Sequence, residues 1–346
     1  MQPETAPVRP DEQLDWPALA TWLRERLPGA RAPMQVEQFP GGSANLTYLV
    51  RFGDLEYVVR RPPLGPVAPG AHDMTREHRV LSRLHEQLPQ APRSFLLCED
   101  ESVIGSPFIV VERRHGVVIR DAFPPHWRAL AEIPRRTSEA LVDAMAALHN
   151  IDPASCGLSA LGRPDGFAAR QVAGWHKRWE LARDRDVPAM DEIHRRLARA
   201  VPPPQRVSIL HNDLKLDNCQ FDGANPDHVK SIFDWDMATL GDPLVDLGTL
   251  LGYWPEPGDP APRAQRPTGA AEPFPTRAQV SARYAAATGL DVSRSDWYEA
   301  FALWKTAVVV QQIYIRFKRG QTQDQRFATI ADRIPVLVDQ ALALLG

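Results

Sequence analysis

The run His211-Asn212-Asp213-Leu214-Lys215-Leu216-Asp217-Asn218, followed at the next strand end by Phe233-Asp234-Trp235-Asp236, constrains this chain more than any other feature. An aspartate on a tight loop can accept a hydroxyl proton. An asparagine five residues later can turn back to a metal, and an aspartate closing the following strand can hold magnesium against ATP phosphates. Magnesium prefers a few carboxylate or amide oxygens completed by phosphates and water, which Asn218 and Asp234 offer and a Cys or His cage does not. A polar turn between hydrophobic strands also uses Asn and Asp. It does not require His, Asp and Asn in this order ahead of a second acidic strand end.

The apolar pattern around these motifs changes character along the chain. Leu19, Trp22, Leu23 and Leu27 recur at helical spacing over 16–27. Strands are expected over 36–39, 47–52 and 56–60, with Gly41-Gly42 as one turn and Gly53-Asp54 as a hairpin. Val80, Leu81, Leu84 and Leu88 then share one helical face over 76–88, ahead of strands over 95–98 and 108–112. Beyond Glu112 the pattern is mainly helical, with helices expected over 138–148, 167–183, 190–200, 297–318 and 327–345. The Pro-, Gly- and Ala-rich stretch 255–275 reads either as a solvated linker or as a loop beside a substrate site.

Composition narrows the class. The 346 residues, 44% hydrophobic, are enough for one large core or two smaller ones. No stretch reaches the roughly 18 apolar residues of a membrane span, and Glu4, Asp11 and Glu12 replace the basic start of a secretion signal, so a cytoplasmic protein is expected. Cys98, Cys156 and Cys219 lack paired metal spacing, which argues against a disulfide framework or a zinc site. A formal net charge of -3 gives no basis for nucleic-acid binding.

The loop at 211–218 resembles the catalytic loop of the protein-kinase-like fold in its aminoglycoside phosphotransferase and choline kinase branch. The runs Pro40-Gly41-Gly42-Ser43-Ala44-Asn45-Leu46-Thr47-Tyr48, Tyr57-Val58-Val59-Arg60-Arg61-Pro62-Pro63, Ala71-His72-Asp73-Met74-Thr75-Arg76-Glu77 and Ala238-Thr239-Leu240-Gly241-Asp242-Pro243-Leu244-Val245-Asp246-Leu247-Gly248 are similar to the acyl-CoA-dehydrogenase-associated subgroup. The resemblance implies an α+β, bilobal fold: a small antiparallel-sheet lobe over 1–112 that binds nucleotide, and a mainly helical lobe over 113–346 that binds the acceptor.

The site follows partly from the residues and partly from the resemblance. A Gly-Gly turn admits phosphate close to backbone N–H groups, which makes Gly41, Gly42, Ser43 and Asn45 a candidate phosphate lid, although a Gly pair also serves as a plain hairpin turn. By resemblance, Arg60 stands where the family carries Lys, with Glu77 as its helix partner and Arg61 as an alternative phosphate ligand. Glu112, Arg113 and Arg114 match the hinge that binds adenine through backbone groups. Asp213 is the expected catalytic base, Lys215 the neutraliser of the transferring phosphate, His211 a loop brace and Asp246 a buried brace. Asp236 and Asp242 stand as secondary candidates for metal, cap or brace. Trp175, Trp179 and Trp254 could line an apolar channel or fill the core. Arg316, Lys318 and Arg319 could meet a CoA phosphate or serve a helix terminus.

ATP and Mg2+ are the implied cofactors, and a small-molecule hydroxyl, on a hydroxyacyl-CoA or hydroxy acid, the implied acceptor, with a functional link to an acyl-CoA dehydrogenase. No nucleic-acid or membrane partner is expected. An aminoglycoside or choline acceptor, a protein kinase, and a nucleotide-binding regulator without turnover remain as alternatives at this stage.

Overall fold

The computed structural model describes residues 4–39, 45–65, 72–260, 267–270 and 272–346. They divide into two compact units. One comprises the described residues of Met1–Gly116 with Cys156–Leu161 and Lys230–Ala238; the other comprises Val117–Ser155, Gly162–Val229 and Thr239–Gly346.

In the first unit, α1 (Trp16–Arg26) is capped by Asp15, whose carboxylate accepts the Ala18 N–H at 2.9 Å. β1 (Met34–Gln38), β2 (Leu46–Phe52), β3 (Leu55–Arg61), β4 (Ser94–Cys98) and β5 (Phe108–Glu112) form an antiparallel sheet in the order β1-β2-β3-β5-β4. Gly53 takes φ of 62° in the two-residue turn joining β2 to β3, the conformation a tight hairpin needs and a side chain resists. Leu19, Leu23 and Leu27 pack with Tyr48, Val50, Phe52 and Phe108 into one core, so the apolar stripe of α1 serves the sheet. α2 (Met74–Leu84) begins at Asp73, which accepts the Arg76 N–H at 2.9 Å, and buries Val80, Leu81, Leu84 and also Glu77.

The second unit is mostly helical: α3 (Ile133–His149), α4 (Phe167–Ala182), α5 (Pro188–Arg199), α6 (Leu244–Tyr253), α7 (Arg277–Thr288), α8 (Ser295–Lys318) and α9 (Arg333–Leu345). Its strands are short. β6 (Val117–Val118) pairs antiparallel with β8 (Cys219–Phe221), and β7 (Ser208–Leu210) pairs antiparallel with β10 (Thr239–Gly241); β9 (Val229–Ile232) follows β8 in sequence and from Lys230 on belongs to the first unit. The loop 211–218 is therefore strung between two paired strands, β7 and β8. α6 runs close against α8: a Cβ on Gly248 would stand 2.5 Å from the backbone of Tyr298. Within 255–275, Phe274 stacks on Phe123 at 5.9 Å and Thr268 bonds to the Asp121 and Phe123 backbone, so the described part is tied to the fold. Among the described residues no helix is long and apolar enough to cross a membrane.

Candidate active site

Each unit carries one polar cluster. In the first unit the pairing of Thr47 with Arg60 and of Leu46 with Arg61 sends the two arginines to opposite faces of β3. Arg60 meets Glu77, with Nε 2.9 Å from Oε1, and its Nη2 lies 2.9 Å from Asp234 Oδ1. Arg61 is buried and donates to the carbonyls of Ile104 (2.6 Å) and Pro62 (3.0 Å), so it braces backbone and is not the alternative phosphate ligand. Burial works against the charge on Arg60, yet Glu77, Asp234 and Asp236 together hold its pKa above the usual arginine value. Burial acts in the opposite sense on Glu77, pushing its carboxyl up to about 7, with Asp234 and Asp236 adding to the rise and Arg60 opposing it.

Asn45 closes this cluster. Its amide nitrogen lies 3.4 Å from Asp234 Oδ1 and 3.3 Å from Asp236 Oδ2, and its oxygen lies 2.9 Å from His72 Nδ1. Burial, then repulsion from Asp234, raises the pKa of Asp236, with Arg60, Asn45 and His72 opposing the rise. Asp234 and His72 both adopt left-handed backbone, φ of 66° and 57°, which non-glycine residues hold only where the surroundings impose it. Gly41, Gly42 and Ser43 lie outside the described residues. At the end of β5, the Glu112 N–H is bonded to the Arg93 carbonyl at 2.8 Å. Arg114 pairs with Glu112 at 2.9 Å, and Arg113 pairs with Glu4 and lies over Phe39.

In the second unit the cluster is built on α6. The buried Asp246 carboxylate accepts the N–H groups of His211 and Asn212, each at 2.7 Å, and meets His149 Nε2 at 3.2 Å. His149 in turn lies 2.7 Å from the Tyr284 hydroxyl. These bonds fix the left-handed turn at Asn212, φ of 67°, and so aim the next residue, Asp213. Burial alone would raise the pKa of Asp246, but His149, with help from His211, holds it below the usual carboxylate value. Buried His211 takes the Asp213 N–H on Nδ1 at 3.3 Å, a bracing position.

Asp213 is gripped from three sides. Tyr253 donates its hydroxyl to Oδ1 at 3.0 Å, Lys215 Nζ lies 3.1 Å from Oδ2, and Asn218 Nδ2 donates to Oδ2 at 3.1 Å and to the backbone carbonyl at 2.8 Å. The Asn218 nitrogen is thereby committed to the loop while its oxygen remains a donor atom for a cation. Lys305 of α8 is the unforeseen member: it is 8% exposed, its ammonium donates to the Asn212 carbonyl at 3.4 Å, and it lies 6.0 Å from the Trp175 ring. Burial lowers its pKa, and Asp213 and Asp246 act against that fall. Arg178 covers Trp175 at 4.3 Å. Neither Tyr253 nor Lys305 lies in a motif; a lone lysine within Phe301-Ala302-Leu303-Trp304-Lys305 was the available signal for the second.

Other candidates are structural. Asp242 accepts the Leu244 N–H at 3.1 Å and the Tyr298 hydroxyl at 2.6 Å, capping α6. Trp179 and Trp254 are core residues. Lys318 pairs with Asp184 at 2.7 Å.

A five-stranded antiparallel sheet with a largely helical remainder, bearing these two clusters, is the protein-kinase-like fold, and the comparisons agree. The phosphotransferase enzyme family matches residues 35–282. The chain belongs to this family and is a phosphotransferase. It is 29% identical over 361 residues to acyl-CoA dehydrogenase family member 11 of Gallus gallus, a match covering 99% of this chain and 45% of that protein. The chain thus spans less than half the length of that relative. Among solved structures it resembles a Ralstonia eutropha protein provisionally assigned as an aminoglycoside phosphotransferase, with a TM-score of 0.79, 28% identity, and 96% and 98% of the two chains covered. It shares its fold with a thermostable mutant of an aminoglycoside phosphotransferase solved with AMP-PNP and hygromycin B, at a TM-score of 0.58 and 14% identity, with 95% and 98% covered.

Proposed function

We propose that this phosphotransferase is a cytoplasmic, magnesium-dependent kinase that moves the γ-phosphate of ATP to the hydroxyl of an acidic small molecule, a hydroxy acid or hydroxyacyl-CoA. The observation that carries the reading is the mooring of Asp213 by Tyr253, Lys215 and Asn218, with the buried ammonium of Lys305 close by at the Asn212 carbonyl. Asp213 orients the acceptor hydroxyl and takes its proton late, as the hydroxyl oxygen bonds to phosphorus and the bond to ADP breaks. Lys215 offsets charge on the transferring phosphate, and His211 with Asp246 keeps the loop in register. Asp234, backed by Asp236, would hold Mg2+ in the first unit, and Asn218 offers an amide oxygen of the same kind in the second; such hard oxygens fit that ion. Magnesium supplies neutralisation of the phosphate oxygens when bound. Arg60, oriented by Glu77, serves the phosphates together with Asn45 and the candidate lid residues Gly41, Gly42 and Ser43. Because Glu112 already uses its N–H, adenine falls to its carbonyl and to the backbone of Arg113 and Arg114. On this reading nucleotide binding belongs to 1–112 and acceptor binding to 113–346.

The acceptor class is supported by charge. Lys215, Lys305 and Arg178 would repel a polycationic aminoglycoside, and Arg178 already covers the face of Trp175 that a choline cage would need. The AMP-PNP and hygromycin B complex of the distant fold relative supports ATP use, and the names of the longer relatives support a link to an acyl-CoA dehydrogenase. The test is magnesium-dependent ADP release from ATP across 4-hydroxyacyl-CoAs, free hydroxy acids, aminoglycosides and choline, with Asp213→Asn as the blank. Turnover with the acidic acceptors is expected. Turnover with aminoglycosides or choline alone refutes the acceptor class, and ATP binding without release for any acceptor leaves a nucleotide-binding regulator.

A further inference from the structure

Away from both clusters, α4 and α5 face each other across four side chains with metal-ligand chemistry. His176 and Glu180 are one helical turn apart on α4, and Asp191 and His194 one turn apart on α5. Ligand atoms of His176, Glu180 and Asp191 all lie within 4.8 Å of one another. The His176 and His194 rings stack at 3.7 Å and 2°, and the face of His194 is backed by Trp304 at 6.1 Å. Among the described residues His176 Nδ1 is buried without a hydrogen bond, and Asp191 Oδ1 stands 3.9 Å away, too far for one. Buried nitrogens of this kind are normally satisfied, and an ion is one of the few things that satisfies an imidazole lone pair beside carboxylates.

We propose that His176, Glu180 and Asp191 bind a zinc-class divalent ion that staples α4 to α5, with the stacked ring of His194 holding His176 in place. One imidazole and two carboxylates, completed by water, make a mixed nitrogen and oxygen donor set suited to zinc and its neighbours, in contrast to the all-oxygen set proposed for magnesium. Tetrahedral zinc with bonds of about 2.0–2.1 Å needs ligand atoms about 3.3 Å apart, and those of His176, Glu180 and Asp191 already lie within 4.8 Å of one another. Glu180 leaves its 3.1 Å pair with Arg183 to join, and the half-exposed Asp191 gives the ion a way in from solvent. The staple would steady the helix that carries Trp175 and Arg178.

The test uses the full chain without a histidine tag and Zn2+ alone, titrated calorimetrically, with Co2+ as the spectroscopic probe. One equivalent should bind, Co2+ should show the visible absorption of a tetrahedral site, and His176→Gln and Asp191→Asn should each weaken binding at least about tenfold, the loss already seen on removing mere outer-sphere partners. Asp234→Asn should leave it unchanged. No saturable binding up to millimolar Zn2+, equal binding in the variants, or loss only in Asp234→Asn overturns the proposal. If His176→Gln fails to fold, the isosteric change at half-exposed Asp191 decides alone. No acceptor or nucleotide is involved, so the result is independent of the kinase reading.

Discussion

Asp213 illustrates how much a single side chain depends on its neighbours. Its carboxylate is held by groups contributed by α6 and by its own loop, so Asp213→Asn keeps the shape and removes the base. Acceptor-dependent ADP release should fall by about 10²–10⁴-fold, the usual worth of a positioned base, while ATP affinity by calorimetry stays as it was. Retained turnover would remove Asp213 from the mechanism. Arg60 poses a different question, because Glu77 beside it is only 1% exposed. Arg60→Met should cost about 3–5 kcal/mol in urea unfolding, since it strands a buried acid. Arg60→Lys should recover only part of that, because an ammonium cannot reach Glu77 and Asp234 through a planar fork. Equal stability of all three proteins would show that the pair does not support the fold.

Among the elements, α6 decides most. An Asp whose folded pKa is depressed contributes stability that is present above its unfolded pKa and lost as pH falls through the folded value. Asp246→Asn should therefore lower stability at pH 7 by about 3–5 kcal/mol, and the gap from the parent should narrow once the pH drops below about 3.8, in urea midpoints measured across pH. A gap that holds constant with pH would mean the carboxylate's charge is not what braces the loop. Gly248→Ala tests the other face of the helix. Propensity alone would favour alanine by about 1 kcal/mol, but its methyl meets backbone atoms of Tyr298 that cannot yield. A net loss of about 1–3 kcal/mol in thermal or urea unfolding is expected, and any gain in stability would refute the close crossing. The same helix shows where periodicity stops being readable. Its residues from Leu244 to Leu251 are all buried, so no polar face marks it as helical, and only the lone Asp246 stood out. The amphipathic α1 and α2, by contrast, were legible because one side of each is wet. Strands of two to four residues such as β6 to β10 are too short to display a period at all.

At the scale of the whole chain, a formal charge of -3 conceals two local fields of opposite character. The first unit gathers Glu77, Asp234 and Asp236 around one arginine, whereas the second gathers Lys215, Lys305 and Arg178 near Asp213. The acidic members were legible because they sit in contiguous motifs; Lys305 and Tyr253 come from helices remote in sequence, and only folding brings them to the loop. That difference gives the sharpest test of acceptor choice. Lys305 is a buried ammonium with a long hydrogen bond, so Lys305→Met, which keeps the stem and removes the charge, should leave the melting temperature unchanged or higher. If the charge serves an acidic acceptor, KM for that acceptor should rise at least about tenfold, near 1.4 kcal/mol of binding, while KM for ATP holds. An unchanged acceptor KM in a well-folded Lys305→Met protein would mean that the acid group is recognised elsewhere and that Lys305 only steadies the Asn212 carbonyl.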